Sequence, residues 1–322
     1  MFKKGLLAVI VGLASAGASA ADITIKYADV HPEGHPVIES IQYMDQLLGE
    51  WSDGRISVEI YSGGQLGGEK ELLEQTQFGA IQMTRVTNGI LGALDPRFDV
   101  LNLPYFFLSR EHMYKVTDSP EIAELLSSIE RQGLLGIGYM DAGSRSVYNA
   151  KTEINKAEDL KSLKVRVIQN PLFIEMMNAM GGNGMPLSYS ELYTSLQTGV
   201  VDGAENNPPT YFQHKHYEVA GNYTLTEHLT IPDAFMMSSR FYKSLSNDDR
   251  EMVMKAAKAA IDKQRELWVS SEEQALIGLK EAGINVITDF DKTEFIEATA
   301  PIRQKSASNY PELLELAERM AM

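Results

Sequence analysis

The residues of this chain best equipped for chemistry lie between Leu160 and Pro209. A short basic strand, Lys164-Val165-Arg166-Val167-Ile168, runs into Gln169-Asn170-Pro171, and further on comes Val201-Asp202-Gly203-Ala204-Glu205-Asn206-Asn207-Pro208. The strand delivers Arg166 toward its own carboxyl end, and a second turn brings amides toward the same region. A guanidinium forms two parallel charge-assisted hydrogen bonds to a carboxylate while neutral amides read neighbouring hydroxyls, so the chemistry on offer is the holding of a small organic acid. A plainer reading competes. Lys164 and Arg166 share one face of the strand, with Val165 and Val167 on the other, as on a solvated edge. Asn206 and Asn207 before Pro208-Pro209 equally suit a turn, because asparagine tolerates unusual backbone angles and the prolines fix the exit.

The elements that must position these residues alternate in type. Asp22 to Ala28 alternates as a strand, and Pro36 to Trp51 carries Val37, Ile38, Ile41, Met44, Leu47 and Leu48 at helical spacing. The pattern repeats with strand Ile56 to Tyr61, the glycine-rich turn Ser62 to Gly68, helix Glu69 to Phe78 and strand Ile81 to Val86, then again near Leu134 to Met140 and Lys164 to Ile168. Strands alternating with helices predict an α/β fold with parallel pairs. In such sheets the loop after the first strand faces ligands, which places His31 to reach the far end of one; His35 before Pro36 reads as the start of a helix. Glu69, after Gly67-Gly68, suits the helix dipole or the acceptance of a hydroxyl. Ser246-Asn247-Asp248-Asp249 is a capping-box signature opening a pattern with no proline or glycine until Gly278. One helix of that length runs roughly 50 Å at 1.5 Å per residue, so it is either a spine across two lobes or two helices broken near Ser270. Tyr105, Phe106 and Phe107, and the methionines at 176, 177, 180, 236 and 237, read as core.

Composition bounds what this machinery serves. Lys3 and Lys4, the apolar run Leu6 to Leu13 and Ala18-Ser19-Ala20 read as a cleaved secretory signal over residues 1–20. The remainder has no uncharged apolar stretch of roughly 18 residues or more, so no membrane insertion of the mature chain is expected and export points to the periplasm. Of the 322 residues 29 are basic and 44 acidic, giving a net charge of −15; losing the leader removes two lysines and no acid, which makes it −17. Such a chain has no electrostatic reason to bind nucleic acid or anionic lipid. With no cysteine, disulfides, thiolate zinc sites and cysteine nucleophiles are excluded. About 300 residues exceed what one core serves, so two lobes are expected, joined by chain crossings because no linker rich in proline or serine is present.

Taken in order, Gly64-Gln65-Leu66-Gly67-Gly68-Glu69, Leu103-Pro104-Tyr105-Phe106-Phe107, Gly143-Ser144-Arg145-Ser146, Leu163-Lys164-Val165-Arg166-Val167, Glu191 to Gly199 and Val201-Asp202-Gly203-Ala204-Glu205-Asn206 make the whole mature chain resemble the substrate-binding proteins of tripartite ATP-independent periplasmic (TRAP) transporters. The resemblance implies a two-lobed α/β receptor with a long helix spanning both lobes. It closes around an organic acid and hands it to a large and a small membrane subunit. Lobe limits of 21–143 plus 232–270 and 144–231 plus 271–322 are expected. The resemblance puts the principal ion pair on Arg166, with Arg145 and Asn206 completing the common contacts; on residues alone, Arg145 is equally a surface arginine or half of a structural ion pair. Proline follows the asparagine directly in the family pattern, whereas Asn207 intervenes here, so which amide faces the ligand is open.

An enzyme is the alternative of another class. His31 with His35, or His214 with His216 and Glu218, would be its metal ligands, but no HExxH helix, GxSxG elbow, GxGxxG turn or P-loop is present, and Lys215 sets a cation between two of the imidazoles. No cofactor, metal or catalysis is expected. Among ligands, a monocarboxylate sugar acid such as a hexuronate is expected in preference to a C4-dicarboxylate. Gln169, Asn170, Asn206, Asn207, His31 and Glu69 supply more hydroxyl-reading groups than a short dicarboxylate satisfies, and a buried polar group left unpaired costs about 1 to 3 kcal/mol.

Overall fold

The computed structural model describes residues 22–321, so the leader expected over residues 1–20 lies outside the described residues. Two sheets carry the fold. The first has the order β2-β1-β3-β10-β4, from β1 (Ile23–Ala28), β2 (Ile56–Tyr61), β3 (Met83–Thr87), β4 (Leu134–Met140) and β10 (Asp233–Ser238). β1 runs parallel to β2 from Ile23↔Ile56 to Ala28↔Tyr61 and parallel to β3, while β10 lies antiparallel between β3 and β4. The second has the order β11-β9-β5-β8-β6-β7, from β5 (Ser144–Asn149), β6 (Lys164–Val167), β7 (Asn183–Pro186), β8 (Gly203–Asn206), β9 (Asn222–Thr230) and β11 (Val286–Ile287). Because β6 is paired on both sides, by β7 and β8, it is an interior strand, and Arg166 is buried on it.

Three passages join the sheets: β4 to β5 through Asp141 to Gly143, β9 to β10 through Ile231 and Pro232, and one long helix. That helix, Asn247–Glu281, is unbroken at Ser270, so the spine reading holds. Ser246 caps it by accepting from Asp249 N at 3.1 Å. Val253, Ala256, Ala257 and Ala260 pack with Val37, Ile41, Met44 and Phe235 of the first sheet's core. Leu279, near its other end, packs with Tyr148, Tyr211 and Tyr223 of the second. At mid-length Gln264 grips the first crossing, accepting from Asp141 N and donating to Asp141 O, both at 2.8 Å. Gly143 turns there with φ +59°, and a Cβ at that position would meet Glu272 and lie 2.8 Å from Trp268 Nε1. The backbone angle and the close helix each demand glycine. Helix Thr293–Asn309 lies on Pro171–Ala179, with Lys305 3.3 Å from Glu175, and the last helix, Pro311–Met320, returns to Arg110–Thr117, where His112 Nε2 lies 2.8 Å from Ala317 O.

Met176, Met177, Met180, Met236 and Met237 are fully buried core residues, and Phe107 is buried with Tyr105 and Phe106 partly so.

Candidate functional site

Strand ends and the first crossing converge on a cleft between the sheets, lined by His31, Glu69, Arg85, Thr87, Arg145, Arg166, Tyr189, Asn206, Asn207, Thr210 and Asp233 among others. It offers about 370 Å³ of empty space, part of it open to solvent. Three buried arginines dominate it, and their surroundings differ.

Arg85, in the middle of β3, is saturated. Its Nε and Nη2 donate to Asp29 at 3.1 and 2.8 Å, its Nη1 donates to Glu69 Oε1 at 2.5 Å, and Asp233 Oδ2 lies 3.3 Å away. Burial, which by itself disfavours the charge, is outweighed by Asp29, Asp233 and Glu69, so the guanidinium is held well above its ordinary pKa. Burial of Asp29 is likewise outweighed by Arg85 and His31, which keep its carboxyl below the usual range. His31 Nδ1 lies 2.8 Å from Asp29 Oδ1 and also contacts Arg85; burial, then Arg85, lowers its pKa. Glu69 opens helix Glu69–Phe78, so it sits at a helix N-terminus and lines the cleft at once.

Arg145, on β5, is neutralised by its neighbour strand. Nε and Nη2 clasp the two carboxylate oxygens of Glu205 at 2.5 and 2.8 Å, and Nη1 donates to Asn206 Oδ1 at 2.8 Å. The burial penalty is again outweighed, here by Glu205, and the pKa is raised.

Arg166 has no such partner. Its Nε donates to Leu187 O at 2.9 Å and its guanidinium lies over the Tyr189 ring at 5.6 Å, but among the described residues Nη1 and Nη2 find no acceptor and no carboxylate pairs with it. Only 4% exposed, it is a buried cation whose pKa burial lowers. A charge taken out of water without a counter-charge costs several kcal/mol, so such a group in a cleft is prepared for an anion. Asn206 stands beside it with its Oδ1 taken by Arg145 and Asn207 N, leaving Nδ2 without a partner among the described residues. The arrangement can hold one carboxylate with charge-assisted hydrogen bonds and offer donors and acceptors to hydroxyls.

Comparison with known proteins fits this geometry. The profile of the bacterial extracellular solute-binding proteins, family 7 (DctP), matches residues 27–309. The chain belongs to this family. A TRAP periplasmic solute-binding protein of Pseudomonas putida F1 with bound D-glucuronate is 42% identical, with 92% of this chain and 96% of that one covered and a TM-score of 0.87. One from Xanthobacter autotrophicus Py2 with bound β-D-galacturonate is 36% identical, with 92% and 98% covered and a TM-score of 0.86. The C4-dicarboxylate-binding periplasmic protein DctP of Rhodobacter capsulatus is 32% identical over 310 residues, 94% of this chain and 90% of that one.

In this family 7 protein the sequence-selected residues divide. Arg166, Arg145, Asn206, Asn207, Glu69 and His31 line the cleft together. Asn207 is spent on structure: its Oδ1 accepts from Thr210 N to cap helix Pro208–Gln213, and its Nδ2 donates to Ala142 O. Gln169 and Asn170, expected at the site, line a different cavity with Asp99, Lys305 and Tyr310. Asn170 caps helix Pro171–Ala179 through Leu172 N and donates to Gly89 O and Asp99 Oδ1, while Gln169 is exposed, so neither amide lines the cleft between the sheets. His35 starts its helix as expected, accepting from Val37 N at 3.3 Å. Sequence reasoning passed over Asp29, Arg85, Tyr189 and Asp233. Arg85 had a signal, a single charge within an otherwise uncharged strand, Met83-Thr84-Arg85-Val86-Thr87. Tyr189 had none, because only folding brings its ring beneath Arg166.

Proposed function

We propose that this protein is the periplasmic receptor of a TRAP transporter, exported by the leader over residues 1–20, that binds a hexuronate and delivers it to a large and a small membrane subunit. Catalysis has no part in this reading. The observation that carries it is the charge count at the three arginines: Arg85 and Arg145 already hold protein carboxylates and Arg166 does not. One uncompensated guanidinium calls for one carboxylate. With Arg145 held by Glu205, a second carboxylate finds no free guanidinium, which disfavours a C4-dicarboxylate for a stronger reason than the supply of hydroxyl readers.

In this reading the ligand carboxylate pairs with Arg166 in two-pronged geometry, Asn206 Nδ2 adds a hydrogen bond, and the face of Tyr189 packs on the sugar. Glu69 and His31 accept and donate to hydroxyls at the far end. The glucuronate and galacturonate held by the P. putida and X. autotrophicus proteins support the choice. Lobe limits of 21–143 plus 232–270 and 144–231 plus 271–322 belong to the same proposal, with the last helix reaching back onto the first lobe. Arg166 and Asn206 sit on one lobe and Glu69 and His31 on the other, so a ligand touching both has higher affinity for the closed arrangement, and only that difference shifts the equilibrium.

Calorimetric titration of glucuronate, galacturonate, succinate and malate side by side tests the proposal. Tight binding of a uronate with recovery of unchanged sugar acid is expected. Tight succinate or malate binding without response to either uronate overturns it.

A further inference from the structure

The first sheet's end of the cleft holds one guanidinium against three carboxylates, and the third is poorly served. Asp233, the first residue of β10, is 4% exposed and lines the cleft. Arg85 gives two donors to Asp29 and one to Glu69, and its approach to Asp233, 3.3 Å, is the longest of the set. Among the described residues the Asp233 carboxyl accepts no hydrogen bond. We infer that Asp233 is a ligand-contacting acid of this receptor that carries a proton in the complex, donates it in a hydrogen bond to an oxygen of the bound hydroxylated monocarboxylate, and thereby makes capture consume a proton. This rests on the proposed function and adds a specificity residue to it.

The charged and titratable groups facing Asp233 from the surrounding elements are Tyr27, Asp29 and His31 from β1 and its loop, Glu69 from the following helix, Arg85 from β3 and Arg145 from β5. Burial raises the Asp233 carboxyl to about 7, with Glu69 and Asp29 adding to the rise and Arg85 and Arg145 opposing it. A ligand carboxylate arriving at Arg166 brings a further negative charge into the same cleft, which raises the proton affinity of Asp233 again. Above neutral pH the free protein has lost this proton and the complex holds it, so binding takes one up from solvent. Protonated, the carboxyl becomes an O–H donor, which an ionised one is not. It therefore donates to hydroxyl and ring oxygens, beside the acceptor that Glu69 offers to hydroxyl hydrogens.

The test is calorimetry with D-glucuronate and D-galacturonate in paired buffers of different ionisation enthalpy, from about pH 6 to about pH 9. Wild-type protein should take up close to one proton per ligand above neutrality and lose affinity there by up to roughly tenfold per pH unit. Asp233→Asn, which retains an N–H donor without a titrating proton, should lose both the uptake and the slope. Asp233→Leu, lacking any donor, should bind more weakly than Asp233→Asn at every pH. Uronate binding by the wild-type protein without proton uptake, or equal uptake in Asp233→Asn, overturns the inference while leaving the proposed function standing. Failure of both uronates to bind at any pH overturns the proposed function and this inference with it.

Discussion

Arg85 and Arg166 face the same cleft from opposite sheets, at 1% and 4% exposure, and the protein treats them in opposite ways. Around Arg85 the chain has gathered Asp29, Glu69 and Asp233, with His31 against the same guanidinium. Around Arg166 it supplies a carbonyl, a tyrosine face and the neutral His216, whose imidazole burial, then Arg166, pushes down to about 3. Desolvation costs both cations alike, but only Arg85 recovers the loss from fixed partners. A buried charge with its partners built in is architecture; one with its partner left out is open to an anion. Arg145 lies between these cases, its charge met by Glu205 and its remaining donor turned to Asn206.

The comparison breaks most decisively at Arg166. Arg166→Ala should reduce uronate affinity by a factor of several hundred or more, since losing one partner of a desolvated pair costs roughly 3 to 5 kcal/mol. Arg166→Lys should also bind poorly, because an ammonium cannot supply the two-pronged contact. Calorimetry checks both; retained affinity in both removes Arg166 from the site.

The opposite signature is expected at Arg85. Arg85→Met leaves Asp29, Asp233 and the partly buried Glu69 without their shared counter-charge and should destabilise the fold by roughly 3 to 5 kcal/mol, whereas Arg166→Met, which removes an unpaired buried cation, should leave stability unchanged or improve it. Denaturant melts of the two variants without ligand measure this directly. Equal destabilisation would erase the distinction between them.

Acidification probes the histidines packed behind these sites. Burial, before any other cause, holds His35 well below its ordinary pKa, His216 near 3 and His228 near 4. Below about pH 6.5 the unfolded chain takes up protons that the folded one refuses, so stability should fall as pH drops from about 7 toward 4, by roughly 1.4 kcal/mol per pH unit for each such proton. Asp233 works the other way: its folded-state pKa is raised, so between about 4 and about 7 the folded protein keeps a proton the unfolded one has released. The histidines outnumber it, and melting temperature followed against pH should decline on the acid side. A rise would contradict their burial in neutral form.

The smallest effect sharpens the intermediate case. Glu205→Gln frees Arg145 of its counter-charge and gives the cleft a second unpaired guanidinium. Affinity for succinate and malate should increase by roughly tenfold relative to the uronates, about 1.4 kcal/mol. A ratio unchanged in side-by-side titrations would mean that Glu205 does not set the number of carboxylates accepted.

Periodicity, caps and strand direction are local properties, so the alternating α/β plan, the start of the long helical segment at its capping box and the delivery of Arg166 by a strand were legible in the sequence, whereas the continuity of that helix past Ser270 was settled by the fold. It also brought out Arg145, Asn206, Glu69 and His31, each at an element's end or in a loop. What it did not determine was partnership. Asn170 and Asn207 carry the same amide as Asn206, yet both are consumed by helix caps and crossing contacts, and only the packing of distant segments, Gly89 and Asp99 in one case and Ala142 in the other, decides that. Arg85 and Arg166 look alike as arginines in the interior of short strands. Which of them meets carboxylates from residues 29, 69 and 233, and which meets only a carbonyl and a tyrosine face, follows from the order in which strands far apart in the chain are laid side by side, and that order exists only in the folded molecule.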